Sequence, residues 1–230
     1  PVLVSGIGEG VQDYLAAALA EDMDRPILVV TANEVSARAV MENMQFYHPS
    51  QTAFFPAKDP LFYSADVRGL AIEKDRMQVF RQLREGRAAC LVMSVEALYD
   101  RLIPKKRWDA CILRRRIGES MPIGDLSRQL VRMGYERRDV VEGQGQFSIR
   151  GGIVDIYSIT EDTAWRIELW GDEIDSIRLL DAVTQRSVSR LERLELLPAR
   201  ELCPDKKQCR DAGAKLQSAL HVFLKKARPE

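Results

Sequence analysis

The sequence is poor in the residues that build metal sites and most catalytic centres. It has only two histidines, His48 and His221, and four cysteines, no two of which form a Cys-x-x-Cys pair. A zinc site usually draws on closely spaced ligand pairs, so none is expected. A Ser-His-Asp or Cys-His arrangement likewise has no motif support. We therefore predict no catalytic residue and no metal.

Long apolar runs and an excess of one charge are also missing. No run approaches membrane-spanning length and no signal-peptide pattern is present, so we expect no membrane partner. The cysteines suggest no disulfide framework, so we expect a reducing, cytoplasmic compartment. Lys+Arg and Asp+Glu both number 34, and a formal net charge of +0 gives no reason to expect tight DNA binding. The chain begins at Pro1 without a methionine, and we expect it to be a piece of a longer protein.

Residues 1–111 alternate short apolar runs with helical patterns. Residues 2–4 and 27–30 are strand-like, and Asn33 can cap the helix that follows the second run. This alternation predicts an α/β lobe with a parallel sheet. A helix after the first run has apolar residues at the spacing of one face: Val11, Tyr14, Leu15, Ala18 and Leu19.

A glycine-rich loop stands between the first predicted strand and that helix. Its glycines are Gly6, Gly8 and Gly10, at the position of a phosphate-binding loop. A working loop continues with lysine and a hydroxyl residue, whereas here the chain continues Val-Gln-Asp, and Asp13 would repel a phosphate. We interpret the glycines as kept for backbone geometry, and predict a degenerate nucleotide site with no cofactor.

Residues 112–198 have a different pattern, dominated by strands and turn-forming glycines. We predict a small α+β module with an antiparallel sheet, inserted after the first lobe. Its expected elements are a helix at 124–133 and strands at 146–150, 153–157, 165–170 and 174–180. Residues 199–230 should form a return segment, mostly helical, that packs on the first lobe.

Alternation along the strand at 165–170 separates two kinds of side chain. Trp165 and its apolar partners should face the core, whereas Arg166 and Trp170 should face outward. Arg150 precedes a Gly-Gly pair that should form a bend and direct its side chain outward. Arg and Trp are typical of interface hot spots.

An ordinary surface role explains the same outward side chains. Arg166 could pair with Glu168 or Glu173 as an exposed ion pair, and Trp170 could cover a sheet edge. The strand pattern alone leaves these two interpretations open.

Several long motifs carry a family resemblance. They are GYER at 134–137, EGQGQFSIRGGIVDIY at 142–157, RIELWGDEIDSIR at 166–178 and QRS at 185–187. Residues 130–198 thereby resemble the module shared by transcription-repair coupling factor (Mfd) and the excinuclease protein UvrB, which binds another excinuclease protein, UvrA. Three shorter motifs, at 26–31, 55–59 and 92–98, resemble the degenerate P-loop-NTPase-like lobe of that coupling factor. Residues 199–230 resemble it only loosely.

Two departures favour the coupling factor over UvrB. The loop lacks the P-loop lysine, and between Phe62 and Ile72 there is no room for the long aromatic hairpin with which UvrB clamps DNA. The resemblance implies UvrA-contacting residues at Arg150, Arg166 and Trp170, the last often phenylalanine in the family. ATP and Mg²⁺ would belong to the motor of the parent protein, whose motifs are absent here.

The resemblance implies a recruitment module. Such a module brings UvrA to lesions marked by a stalled RNA polymerase, without catalysis of its own. RNA polymerase and DNA would be contacted by other parts of the parent, and the parent's C-terminal region would mask the UvrA surface. The alternatives are a UvrB-like, ATP-dependent helicase component of DNA repair and a stand-alone DNA-binding domain.

Overall fold

The computed structural model describes residues 2–8, 10–23, 25–58, 67–181 and 186–227. The chain forms two compact units, Pro1–Pro104 and Lys105–Glu230. Within the described residues, no helix is both long and apolar enough to cross a membrane.

The first unit is an α/β layer structure around a three-stranded parallel sheet with the strand order β1-β3-β2. Its elements are α1 (Val11–Asp22), β1 (Ile27–Thr31), α2 (Glu34–Tyr47), β2 (Thr52–Phe55), α3 (Val67–Arg84), β3 (Cys90–Ser94) and α4 (Val95–Leu98). The predicted alternation of strand and helix and the parallel sheet are confirmed.

Side chains on both faces of this sheet are buried. One core cluster joins α1 and α2 to the sheet through Met44, Cys90 and Val92, and a second includes Phe55 and Met93. The predicted cap is also confirmed, because the Asn33 Oδ1 accepts a 2.8 Å hydrogen bond from the Ser36 amide. Burial on both faces explains why the strands of this parallel sheet are the continuous apolar runs seen in the sequence.

Two details of this unit differ from the sequence prediction. Residues 2–4 are exposed and outside any strand, although their composition is strand-like. Helix α1 forms, but its apolar stripe, including Tyr14 and Leu19, lies on the exposed side. The helix instead buries its small residues Ala17 and Ala20. Small side chains let it pack closely against the cluster around Met44, and this packing overrides the larger apolar stripe.

The second unit contains two sheets. Its elements are α5 (Lys105–Cys111), β4 (Leu113–Arg116), α6 (Ile123–Arg132), β5 (Glu136–Arg137), β6 (Gln146–Arg150), β7 (Ile153–Tyr157), β8 (Ala164–Trp170), β9 (Glu173–Leu180), β10 (Ser187–Leu191), β11 (Arg193–Leu196) and α7 (Lys206–Ala227). The larger sheet has the order β10-β9-β8-β7-β6-β5, and β11 pairs with β4 in the smaller one. The four predicted strands are thus present as β6 to β9.

The larger sheet is antiparallel with one exception. The two-residue strand β5 pairs with β6 in parallel, which the antiparallel prediction did not include. One face of the sheet is apolar and fully buried, with Phe147, Ile167 and Ile177 at its centre. The helix predicted at 124–133 is present as α6, and it buries Leu126 and Leu130, which are four residues apart on one helical face. The opposite face is polar, and it contains the predicted site.

Some predictions about chain organisation are left untested. Helix α7 covers the predicted helical return segment, and its apolar residues Leu216, Leu220 and Phe223 are exposed. Its packing on the first lobe stays a prediction, as does the division at 111/112. The prediction that no hairpin fits between Phe62 and Ile72 falls partly on residues 59–66, which lie outside the described residues, as do Glu9 of the glycine loop and Gln185 of the QRS motif.

Candidate functional site

The three predicted partner-binding residues lie on one face of the larger sheet. In the strand register, Arg150 is opposite Ile153, Arg166 is opposite Asp155, and Trp170 continues the same face of β8 beyond Glu168. This is the face opposite the apolar core. The structure therefore brings Arg150 and Arg166 close together, although they lie on different strands and are far apart in the sequence.

A glycine pair makes the hairpin that positions Arg150. Gly151 has φ 60°, a left-handed conformation that favours glycine. At Gly152 a Cβ would lie 2.8 Å from the carbonyl oxygen of Leu169, which is too close for any side chain. That approach lets the Leu169 amide donate a 2.8 Å hydrogen bond to the Gly152 carbonyl. The bend predicted from the Gly-Gly pair is confirmed.

A buried carboxylate joins the two arginines. Asp155, 2% exposed, accepts hydrogen bonds from Arg166 Nε (2.6 Å) and Arg166 Nη2 (2.8 Å). The same carboxylate accepts a 2.7 Å hydrogen bond from Arg150 Nη2. Bidentate, charge-assisted bonds of this kind are strong and directional. Asp155 thus fixes two guanidinium groups that would otherwise sample many rotamers.

Asp155 changes the interpretation of Arg166. The predicted surface pairing of Arg166 with Glu168 or Glu173 is replaced by the pairing with Asp155. Glu168 instead accepts from Ser176 Oγ at 2.8 Å and from Arg178 Nη2 at 3.2 Å. The hydrogen bond to Asp155 raises the pKa of the Arg166 guanidinium above its usual value, so the charge is held firmly.

The two tryptophans of β8 have opposite environments. Trp170 is 85% exposed, whereas Trp165 is 7% exposed and its indole N–H donates a 3.1 Å hydrogen bond to Glu161. Such exposure leaves the Trp170 ring too open to serve as a cover for a sheet edge, which the ordinary surface interpretation required. A large apolar ring left in water is a feature of binding surfaces, because its burial by a partner removes apolar area from water.

The glycine loop has a different geometry. Gly6 and Gly10 have positive φ angles of 76° and 86°, and a Cβ at Gly6, Gly8 or Gly10 would meet no atom within 4 Å. In the first turn of α1, Asp13 is buried and its carboxylate accepts a 2.7 Å hydrogen bond from Asn43 Nδ2. The Asp13 carboxylate is thus held near the start of α1.

Other reactive groups show no comparable arrangement. Among the described residues, no cluster of three or more His, Cys, Asp or Glu side chains could hold a metal ion. Burial, with a smaller contribution from Asp13, raises the pKa of the Cys90 thiol to about 11, so this thiol stays protonated near neutral pH. Cys90 packs in the core cluster with Met44 and Val92.

Both the second unit and the chain as a whole are similar to known proteins. Residues 113–202, which include the polar face, match the family described as the UvrB interaction domain. The chain is 31% identical over 99% of its length to a transcription-repair-coupling factor of Bacillus subtilis, and 32% identical over 87% to one of Myxococcus xanthus. It is 26% identical over 99% of its length to the UvrABC system protein B of Fervidobacterium nodosum, of which it covers 36%.

Together these matches span nearly the whole chain. The second unit carries a UvrB interaction domain. The chain is similar over nearly its whole length to transcription-repair-coupling factors, and these matches support an N-terminal module of the Mfd/UvrB type. It covers 20% and 17% of the length of the two coupling factors named above.

Asp155 is the one residue of the site that sequence reasoning missed. It lies within one of the family motifs, but no role was predicted for it. The sequence could have predicted this role, because a two-residue turn at Gly151 and Gly152 fixes the register of β6 and β7. In that register Asp155 is opposite Ser148 and lies on the same face as Arg150.

Proposed function

We propose that this chain is a docking module and that the polar face of its larger sheet binds UvrA. The observation that carries this proposal is the clamp in which Asp155 holds Arg150 and Arg166, on the same sheet face as the exposed Trp170. Side chains that are ordered before binding lose less conformational entropy on association. The match of the surrounding residues to the UvrB interaction domain supports UvrA as the partner.

The wider role is recruitment of excision repair to lesions at which RNA polymerase has stalled. The similarity to transcription-repair-coupling factors supports this role. RNA polymerase and DNA would be reached through parts of a longer parent protein, which also contain its ATP-dependent motor. In that parent, a C-terminal region would cover the docking face. The chain alone, in the cytoplasm, would then bind UvrA constitutively.

The docking proposal is tested by titration calorimetry of UvrA against the 230-residue chain. We expect Arg150→Ala, Arg166→Ala and Trp170→Ala each to weaken binding by about 1–4 kcal/mol, the range of interface hot spots. Arg193→Ala on β11 and Phe46→Ala on α2 are matched controls, since Arg193 is also exposed and Phe46 is 84% exposed. The proposal would be contradicted if these three variants bound UvrA as tightly as the unchanged chain, or if the two control variants lost as much affinity as they do.

We also infer that the module acts without nucleotide. Two features support this inference: the glycine loop continues into Val11, Gln12 and Asp13 without a lysine, and the Asp13 carboxylate is fixed in the first helical turn. A carboxylate there opposes a bound phosphate, because like charges compete for the positive end of the helix dipole. Calorimetry with Mg-ATP should detect no binding at micromolar concentrations, and DNA should stimulate no ATPase. A micromolar affinity or a DNA-stimulated ATPase would favour the helicase alternative.

The stand-alone DNA-binding alternative makes a distinct prediction. Binding to phosphates weakens steeply with salt, because the release of condensed counterions drives it less at high salt. A duplex oligonucleotide titrated at two salt concentrations therefore separates this alternative from docking of a protein.

A further inference from the structure

A row of cationic side chains extends across the polar face from the clamp towards β10. In the strand register, Arg190 on β10 is directly opposite Arg178 on β9, and Arg178 is directly opposite Arg166 on β8. Asp155 on β7 ends the row. Three guanidinium groups and one carboxylate thus lie side by side across four strands. Like charges in directly opposite positions destabilise a sheet, so this order costs the free protein some stability.

The charges in the row are compensated unevenly. Arg166 is held by Asp155, and Arg178 by Glu168 at 3.2 Å. Arg190 is exposed and makes no hydrogen bond or ion pair with any described residue. Because the single Asp155 carboxylate serves both Arg150 and Arg166, uncompensated positive charge in the described part of the face lies at the clamp and at the β10 end of the row. At the other end of the face, Trp170 is opposite the acidic Glu173.

We propose that Arg166, Arg178 and Arg190, the arginine row, form a second part of the docking surface that binds an acidic patch of a partner protein. The proposal rests on the proposed function, because the row shares Arg166 with the docking clamp. Planar guanidinium groups suit bidentate contact with carboxylates, and an acidic patch would relieve the repulsion between Arg178 and Arg190. Arg190, at the exposed end, would act mainly by steering the partner during encounter.

A nucleic acid is the less suitable partner for this row. Phosphate binding gains affinity with the number of cations that contact the backbone, whereas two of the three arginines are already engaged by carboxylates. The whole chain has a formal net charge of +0. An acidic protein surface needs only a local excess of positive charge, which is what the β10 end of the row provides.

The test measures association and dissociation rates of UvrA with the full chain at low and high salt. For Arg190→Glu we expect association about tenfold slower at low salt, with dissociation little changed and the difference reduced at high salt. Arg190→Lys, which keeps the charge, should restore most of the rate. The matched control is Arg193→Glu, because Arg193 is exposed and directly opposite Arg116 in the smaller sheet. It should bind at the normal rate.

The outcomes separate this inference from the docking proposal. If Arg166→Ala and Trp170→Ala weaken binding but Arg190→Glu associates normally, docking stands and the arginine row is overturned. If Arg166→Ala and Trp170→Ala also bind as the unchanged chain does, the docking proposal itself fails. If Arg190→Glu lowers affinity for a duplex oligonucleotide and leaves UvrA binding unchanged, the acidic-partner assignment is wrong. Equal slowing by Arg193→Glu would also overturn it, since the effect would then be one of net charge.

Discussion

The two faces of the larger sheet use the same strands for different purposes. The apolar face buries Phe147, Ile167 and Ile177 completely, and its stability comes from burial and close packing. The polar face has Arg166 and Asp155, whose contacts are directional and partly open to water. Alternation along a strand thus separates the side chains that stabilise the fold from those available for recognition. Substitutions one position apart in β8 should therefore affect different properties: a change on the apolar face lowers stability, whereas a change on the polar face weakens binding of the partner.

The largest expected effect is on the apolar side. Trp165→Ala removes a buried indole and leaves a cavity, so the free energy of unfolding should fall by about 3–5 kcal/mol. Urea or thermal unfolding of the full chain measures this loss. UvrA binding should weaken only where the variant is partly unfolded. If the Trp165→Ala chain were as stable as the unchanged chain, the stabilising role assigned to the apolar face would be contradicted.

An intermediate effect is expected at the carboxylate between the two arginines. Asp155→Asn keeps the shape but removes the charge that holds Arg150 and Arg166, so UvrA binding should weaken by about 1–3 kcal/mol, the scale of a hydrogen bond to a charged group. Because Asp155 would act by positioning these arginines, its effect should not add to that of Arg166→Ala.

A double-mutant cycle measures this coupling. The binding losses of Asp155→Asn, Arg166→Ala and the double variant are compared under one salt condition. If the double variant loses the sum of the two single losses, Asp155 does not act through Arg166. Unfolding curves of the same three variants would show whether a loss of stability, rather than of positioning, explains the result.

The smallest expected effect concerns stability on the polar side. Arg150→Ala and Trp170→Ala should each change the free energy of unfolding by only about 0.5 kcal/mol, because both side chains are exposed and Asp155 keeps its two hydrogen bonds from Arg166. Arg166→Ala should cost about 1–3 kcal/mol, because it leaves the buried Asp155 carboxylate with only the hydrogen bond from Arg150. Thermal melts beside the binding titrations measure this. If the three variants bind normally and unfold early, the roles of the two faces have been assigned the wrong way round.

Local patterns in the sequence were sufficient to predict part of this architecture. Alternation in β8 correctly predicted that Trp165 is buried and Trp170 is exposed. The cap at Asn33 and the bend at Gly151 were predictable because each depends on a few neighbouring residues. The polar face was predictable for the same reason, since a strand's two sides differ by one position.

Features that depend on distant packing were not predictable in this way. The strand expected at residues 2–4 needs a pairing partner, which composition does not specify. The buried side of α1 was decided by the close packing of Ala17 and by the Asp13–Asn43 hydrogen bond, rather than by its apolar stripe. The arginine row required the register of four strands, and the pairing of β10 with β9 includes a bulge that sequence spacing would misplace.

The exposure of Trp170 also gives the chain a built-in optical reporter. The sequence has three tryptophans, and two of them, Trp108 and Trp165, are buried. An indole in water emits at longer wavelength than one in an apolar interior, so the red side of the emission band comes chiefly from Trp170. A quencher dissolved in the buffer would act on this ring first. Shielding from that quencher, followed in real time, would therefore report occupancy of the polar face without any added label.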